Sequence, residues 1–324
     1  MDLSNPATYG VSTGKALSFF INSHGGKIGA WYLEPEGKSN NSSILYLHGV
    51  KGTRGRSHRV ELYKILLKAG YHILTIDYRG FGDATDTSED EDTVVQDARE
   101  ALTWLREKVG KSCKIFVWGH SMGTGVASHA VAKEFIEKGF ETQVDGVVLE
   151  APFNNFTDEL IFYTKNTSNP IAKSALSALY SSTGETLPGA LLSLFNMKFN
   201  SDSWVPYIKC PVLILHAKED AKIPFSLAEK LFNDVIAAGK TDVTFHAFEE
   251  GIEHHTIYNS KKLPSIIKEF TDNSELKEES FKKVDVIGYS QHAKSVESSE
   301  ESKVFFCFCC LMALLAYFFF YFKS

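Results

Sequence analysis

Six short runs recur between residues 43 and 248: SILYLHG (43–49), YHILTIDY (71–78), KIFVWGH (114–120), VDGVVLE (144–150), PVLILHA (211–217) and DVTFHAF (242–248). Each is rich in β-branched and aromatic residues and nearly unbroken in hydrophobicity. A strand with one wet face must alternate, whereas a strand covered on both faces need not. Helix-length stretches at 57–69, 93–109, 122–138 and 226–238 lie between most of them. That alternation predicts an α/β fold, a mostly parallel sheet with helices on both faces, because parallel neighbours must be joined by crossovers. LSFFINS and IGAWYLE, within 17–34, alternate around a Gly-Gly turn and read as an opening antiparallel pair. Residues 151–208 break the rhythm. They are too long for a loop and contain ELIFYTK, SALSALY and ALLSLF, so they read as a helical cap insertion on a body spanning 1–270. No repeat of solenoid type occurs.

With 44% apolar and 23% charged residues, the 324-residue chain can bury a core, which excludes wholesale disorder and a polytopic membrane protein. A net charge of −6 without a Lys/Arg block argues against a nucleic-acid surface. Cys113, Cys210, Cys307, Cys309 and Cys310 form neither a disulfide framework nor a zinc spacing. Residues 1–10 lack a basic segment followed by an apolar one, so no cleaved secretory signal is expected.

The membrane signal is at the other end. Residues 304–322, VFFCFCCLMALLAYFFFYF, run nineteen without a charge. A helix rising about 1.5 Å per residue would span the roughly 30 Å hydrocarbon core over that length. Residues 271–303 are rich in Ser, Glu and Lys and read as a polar linker. The expectation is a C-terminal transmembrane tail anchor, in the endoplasmic reticulum, with the body facing the cytosol. A glycolipid anchor would need secretory entry first. The three tail cysteines suit palmitoylation near the interface or simple packing in the helix.

The densest chemical signal is GHSMG at 119–123, a G-x-S-x-G directly after a strand and directly before the helical MGTGVASHAVAKEF. A serine on so tight a turn needs Gly on either side, because neighbouring backbone crowds any Cβ there. The turn exposes Ser121 at the carboxyl edge of the sheet, beside the positive end of the next helix. Read instead as a dinucleotide fingerprint, GTGVAS has Ser128 where the third glycine belongs, and it does not follow the chain's first strand.

A serine is a poor nucleophile without a base, which in turn needs an orienting acid. On this architecture they follow in the order Ser, Asp, His on later loops. Asp220 lies on the loop after PVLILHA, with Glu219 as its rival; Asp86 and the run Glu89–Asp92 read as a solvated acidic loop. After the last strand come His254 and His255, both eligible as base; His246 falls inside that strand and reads as structural. An oxyanion hole would use the backbone N–H of Met122 and of Val50, the latter in HGVKG, which also suits an ordinary Gly-rich turn.

LYLHG, GTRG and HRVELYK at 45–64, GYHILTIDYRGFGD at 70–83, WGHSMGTGVA at 118–127, EAPFNN at 150–155, PVLILHAKED at 211–220 and the HHTIY ending resemble the α/β-hydrolase family. More narrowly, they are similar to its branch of membrane monoacylglycerol and lysophospholipid lipases, whose favoured substrates include lysophosphatidylserine. The resemblance covers about 30–270 and implies an α/β-hydrolase fold with Ser121 as nucleophile, Asp220 as acid and His254 rather than His255 as base. Val50 and Lys51 stand where the family has Asn and Ala, and the family's better-known members carry their membrane segment ahead of the hydrolase domain, which lies in the lumen.

The resulting expectation is a serine ester hydrolase of single-chain lipids. Phe162, Leu191 and Phe195 of the cap would line the acyl chain. No metal or organic cofactor is implied, since H-E-x-x-H and clustered ligand spacings are absent. The expected partners are a lipid ester and a membrane, with no nucleic acid and no obligate protein partner. An acyl-protein or acyl-CoA thioesterase would use the same three residues, a peptidase fits an apolar cap and membrane tether less well, and a lipid-binding scaffold would not need an intact triad.

Overall fold

The computed structural model describes residues 2–11, 15–35, 37–85, 90–139, 144–166, 198–249 and 251–274. The chain forms two compact units. One comprises Met1–Glu159 and Gly189–Leu276, the other Leu160–Pro188 and Lys277–Ser324. Only 160–166 of the second are described, as the end of a helix.

The first unit is built on eight strands: β1 (Ala16–Ser23), β2 (Gly26–Leu33), β3 (Ser42–Leu47), β4 (His72–Asp77), β5 (Lys114–His120), β6 (Gly146–Glu150), β7 (Val212–Ala217) and β8 (Val243–Phe248). Their order is β1-β2-β4-β3-β5-β6-β7-β8. The β1–β2 and β2–β4 pairings are antiparallel and all later ones parallel. The expected opening hairpin and parallel sheet are therefore both present.

The unbroken hydrophobicity of the strands has a direct explanation in two separate cores. Leu45 and Leu47 of β3, Ile115 and Val117 of β5, and Val147 and Leu149 of β6 point into one. Their neighbours Ile44, Tyr46, Phe116, Trp118 and Val148 point into the other. Helices α2 (Glu91–Val109), α3 (Met122–Lys138) and α6 (Phe225–Ala237) cover the first core, with Ala98, Leu102, Val126, Val131 and Leu231 among their buried residues. Helices α1 (Ser57–Lys68) and α7 (Leu263–Asn273) cover the second with Val60, Tyr63, Leu67, Leu263 and Ile267.

Strand β3 has β4 on one side and β5 on the other. The chain leaves β3 for α1 on one face and β5 for α3 on the opposite face, so their loops diverge at the carboxyl edge. This is a topological switch point, where open α/β sheets bind ligands.

Three features depart from the sequence reading. The acidic run at 89–92 is not wholly a solvated loop. Asp90 caps α2, its Oδ1 accepting from Thr93 N at 2.7 Å, and Glu91 is buried. The Glu91 carboxylate accepts from the amides of Lys198 (2.9 Å) and Phe199 (2.7 Å) and pairs with His129 Nδ1 (2.6 Å), which makes its burial tolerable. Helix α7 was not singled out. Finally, Thr271 and Ser274, read as linker, are buried, and the Ser274 carbonyl accepts from Lys114 Nζ at 3.0 Å.

Of the cap stretch, α4 (Phe156–Asn166), α5 (Ser201–Trp204) and a 3₁₀ turn (Val205–Tyr207) are described. Cys113 and Cys210 are buried free thiols. Among the described residues no helix is long and apolar enough to cross a membrane; the apolar run 304–322 lies outside them.

Candidate active site at the carboxyl edge of the sheet

Strand β5 ends at His120 and α3 begins at Met122, leaving Ser121 alone on the turn with φ 55° and ψ −125°. A non-glycine residue holds such a left-handed φ only when its surroundings over-determine it. They do here. Ser121 N donates to the Glu150 carbonyl on β6 at 2.9 Å, and the Ser121 carbonyl accepts from Thr124 N (2.8 Å) and Thr124 Oγ1 (2.6 Å). The flanking glycines are steric requirements, since a Cβ on Gly119 would collide with the Gly123 carbonyl and one on Gly123 with the Leu47 carbonyl. Ser121 stays 9% exposed.

The loop after β7 carries Asp220 and the loop after β8 carries His254. His254 Nδ1 donates to Asp220 Oδ2 at 2.7 Å, with the histidine 4% and the aspartate 7% exposed. Asp220 Oδ1 accepts from the amides of Lys222 (2.8 Å) and Ile223 (2.9 Å), so the carboxylate is held at both ends. Burial pushes the Asp220 carboxyl up, but the His254 hydrogen bond and charge, with His216 and the Ile223 amide, outweigh it and hold the group below the ordinary carboxylate range. The His254 loop is tied to the serine turn through a backbone carbonyl. His120 Nε2 donates to the His254 carbonyl at 3.0 Å, one residue ahead of Ser121.

The third loop follows β3. A Cβ on Gly49 would lie 3.0 Å from Ser121 Cβ and 3.4 Å from its Oγ, so the peptide leading into Val50 rests against the serine side chain. Met122 is the first residue of α3, where the backbone N–H has no intrahelical acceptor. Buried Arg59 of α1 clamps the loop, donating to the carbonyls of Thr53 (2.5 Å) and Lys51 (2.6 Å). Buried Arg54 donates to Asp77 (2.6 Å) and to both oxygens of Asp83 (2.6 and 2.9 Å). His48 Nε2 lies 3.2 Å from Asp77 Oδ1 and completes the network.

A zebrafish (Danio rerio) protein named lysophosphatidylserine lipase ABHD12 is 35% identical over 83% of this chain and 72% of its own length.

The chain belongs to the ABHD12 family of α/β-hydrolases.

The mouse (Mus musculus) ABHD12 protein is 39% identical over 77% of this chain but only 60% of its own length, so the chain matches about three fifths of that relative. The family model described as serine aminopeptidase, S33, matches residues 38–194. Among solved structures, an esterase from Pyrococcus furiosus superposes with a TM-score of 0.63, covering 85% of this chain and 95% of its own at 18% identity. An α/β-hydrolase from Vibrio vulnificus gives 0.60 over 79% and 81% at 20% identity. These two support the fold.

In this ABHD12 relative the rivals weighed in the sequence are engaged elsewhere. Glu219 Oε2 accepts from Gly251 N at 3.1 Å on an exposed turn. His246 stays within β8 and meets Phe248 edge-on at 5.0 Å. His255 stacks on His58 with centroids 4.4 Å apart, and its Nε2 accepts from Lys222 Nζ at 3.1 Å. Phe162 lies half-buried on α4, while Leu191 and Phe195 fall outside the described residues.

Sequence reasoning missed Arg54, Arg59, Asp77 and Glu150. The GTRG and HRVELYK segments carried the arginines, but the Arg54 partners are distant in sequence and Arg59 bonds backbone carbonyls, which no side-chain pattern marks. Glu150 is buried, accepts from Trp118 Nε1 at 2.8 Å, and is pushed up to about 7 by that burial.

Proposed function

We propose that this serine ester hydrolase cleaves single-chain lipid esters, monoacylglycerols or lysophospholipids such as lysophosphatidylserine, with Ser121, His254 and Asp220 as its triad. The observation that carries the reading is the 2.7 Å Asp220–His254 hydrogen bond, on a loop bonded to the residue preceding Ser121. The names of the zebrafish and mouse relatives supply the head-group class.

In the first half-reaction, Ser121 Oγ attacks the ester carbonyl while His254 Nε2 takes its proton. Asp220 fixes the Nδ1–H tautomer and stabilises the imidazolium, a role its lowered carboxyl pKa suits. The amides of Val50 and Met122 bind the tetrahedral oxyanion, each worth about two to three decades in rate. His254 returns the proton to the glycerol oxygen, and water then releases the fatty acid from Ser121 by the same route in reverse.

The apolar run 304–322 would hold the enzyme at a membrane, in the endoplasmic reticulum, with the hydrolase body in the cytosol. The sequons at Asn40, Asn41, Asn155 and Asn166 supply the test, since a cytosolic body carries no sugar there. Glycosidase treatment of membranes from a eukaryotic host should leave the mass unchanged; a shift overturns this orientation.

The substrate test is turnover of lysophosphatidylserine, monoacylglycerol and acyl-CoA by the full chain and its Ser121→Ala variant. Hydrolysis of at least one of the two lipid esters above acyl-CoA, lost in the variant, is expected. Preference for acyl-CoA overturns the substrate class.

A further inference from the structure

His58 at the start of α1, His120 at the end of β5 and His255 on the base loop converge beside the triad from positions far apart in the sequence. One ring nitrogen from each lies within 4.8 Å of those from the other two. The rings of His58 and His255 stack at 4.4 Å, and His120 sits 5.8 Å from the first and 5.4 Å from the second. His58 Nε2, His120 Nδ1 and His255 Nδ1 are all buried without a hydrogen-bond partner. Three orphaned imidazole nitrogens in one spot are costly unless something occupies the space between them.

Their chemistry narrows what that is. His120 donates Nε2–H to the His254 carbonyl at 3.0 Å, which leaves the Nδ1 lone pair free. A ring N–H held by a backbone carbonyl is the arrangement that orients metal-ligating histidines. A neutral imidazole offers one ring-nitrogen lone pair to a metal, and each of the three has a buried nitrogen without a hydrogen-bond partner. We propose that His58, His120 and His255 form a binding site for a borderline divalent transition ion, Zn²⁺ in the first instance, and that its occupancy inhibits the hydrolase.

Three imidazoles and a water complete a tetrahedral zinc shell at about 2.0–2.1 Å per ligand, so the rings must close by roughly 1 Å and the His58–His255 stack must open until both in-plane lone pairs face the ion. Lys222, exposed, turns out to solvent as the His255 proton passes from Nδ1 to Nε2. Nearby Arg56, Arg59 and Lys222 oppose a cation and weaken its binding.

Inhibition follows from position. His254 must become an imidazolium in the transition state, and its ring lies 5.0 Å from His120 and 4.6 Å from His255. A dication held by those two rings opposes that charge and locks the base loop to the serine turn. The binding half of this inference stands by itself; the inhibitory half rests on the proposed triad.

The test uses the full chain in detergent micelles with a histidine-free affinity tag. Zinc stoichiometry is measured by equilibrium dialysis, cobalt ligation by the visible absorption of a tetrahedral site, and ester turnover with and without a chelator. One zinc per chain, a tetrahedral cobalt spectrum and an at least tenfold fall in rate that the chelator reverses are expected. His58→Gln and His255→Gln, checked for native circular dichroism, should each lose the cobalt spectrum and resist zinc relative to their own zinc-free rates. Absence of binding by the wild type, or unchanged binding in both variants, overturns the site. Binding without loss of rate, or inhibition that persists in both variants, overturns the inhibitory role.

Discussion

Gly123→Ala sets two effects of similar size against each other. Alanine is favoured over glycine in a helix by up to about 1 kcal/mol, and Gly123 is the second residue of α3. Against this, the added Cβ would fall onto the Leu47 carbonyl oxygen, with the Leu47 carbonyl carbon at 2.8 Å and the His48 oxygen at 2.9 Å. Those atoms are the backbone end of a central strand and cannot rotate away as a side chain would. Overpacking of this kind costs about 1–3 kcal/mol. With the helix gain taken in full, net destabilisation of up to about 2 kcal/mol should lower Tm by up to about 8 °C, at about 2–4 °C per kcal/mol for a body of this size. Activity should fall further than stability. Relief of the clash moves the β3 end, and with it the Val50 amide, away from Ser121, and a displacement of about 1 Å costs roughly a hundredfold. Thermal melts and kcat/KM on a soluble short-chain ester read both effects. An unchanged Tm with unchanged kcat/KM would refute the steric argument and the placement of the β3 loop against the serine.

Asp220→Asn should lower kcat by about three to four decades with little change in KM, because an amide cannot enforce the Nδ1–H tautomer of His254; steady-state kinetics check the split. Arg59→Met removes the donors to the Thr53 and Lys51 carbonyls, and should lower kcat/KM by about one to two decades through a loosened Val50 loop while the circular dichroism stays native. Glu150→Gln keeps an acceptor for Trp118 but removes a buried acid. The folded state holds the Glu150 proton up to about 7 and the unfolded chain releases it near 4.5, so wild-type stability falls as pH rises between those values. The variant should match wild type near pH 4 and exceed it by about 1–3 kcal/mol near pH 8 in urea titrations.

What could be read from the sequence was whatever is local or periodic. Strands β3 to β7 and the helices at 57, 93, 122 and 226 announce themselves because burial on both faces leaves an unbroken apolar run, and a helix between such runs has a fixed place, whereas β1 and β2 are read from their alternation around the Gly-Gly turn. The start of α2 was missed by two residues because Glu91 reads as a solvated charge until His129 and the 198–199 amides are known. Helix α7 carried a usable signal, Leu263, Ile266, Ile267 and Phe270 at helical spacing, but merged with the polar linker that follows. Asp220 and His254 could be named as candidates because strand order confines a triad's acid and base to particular loops, and the structure hydrogen-bonds the two side chains. Spacing does not choose between His254 and His255, since adjacent residues share a loop; the resemblance points to His254, and in the structure His254 bonds Asp220 while His255 stacks on His58. The Arg54–Asp77–Asp83 network and the histidine cluster join residues from strands, a helix and loops far apart in the chain, and no spacing rule exposes such contacts.

The central claim is that Ser121 is a nucleophile activated by His254. A fluorophosphonate reacts with such a serine, and peptide mass spectrometry locates the adduct. A single adduct on Ser121 is predicted in the wild type, absent in Ser121→Ala and formed at least a hundredfold more slowly in His254→Gln. An unlabelled wild type, an adduct on another serine, or equal labelling rates in His254→Gln would contradict it.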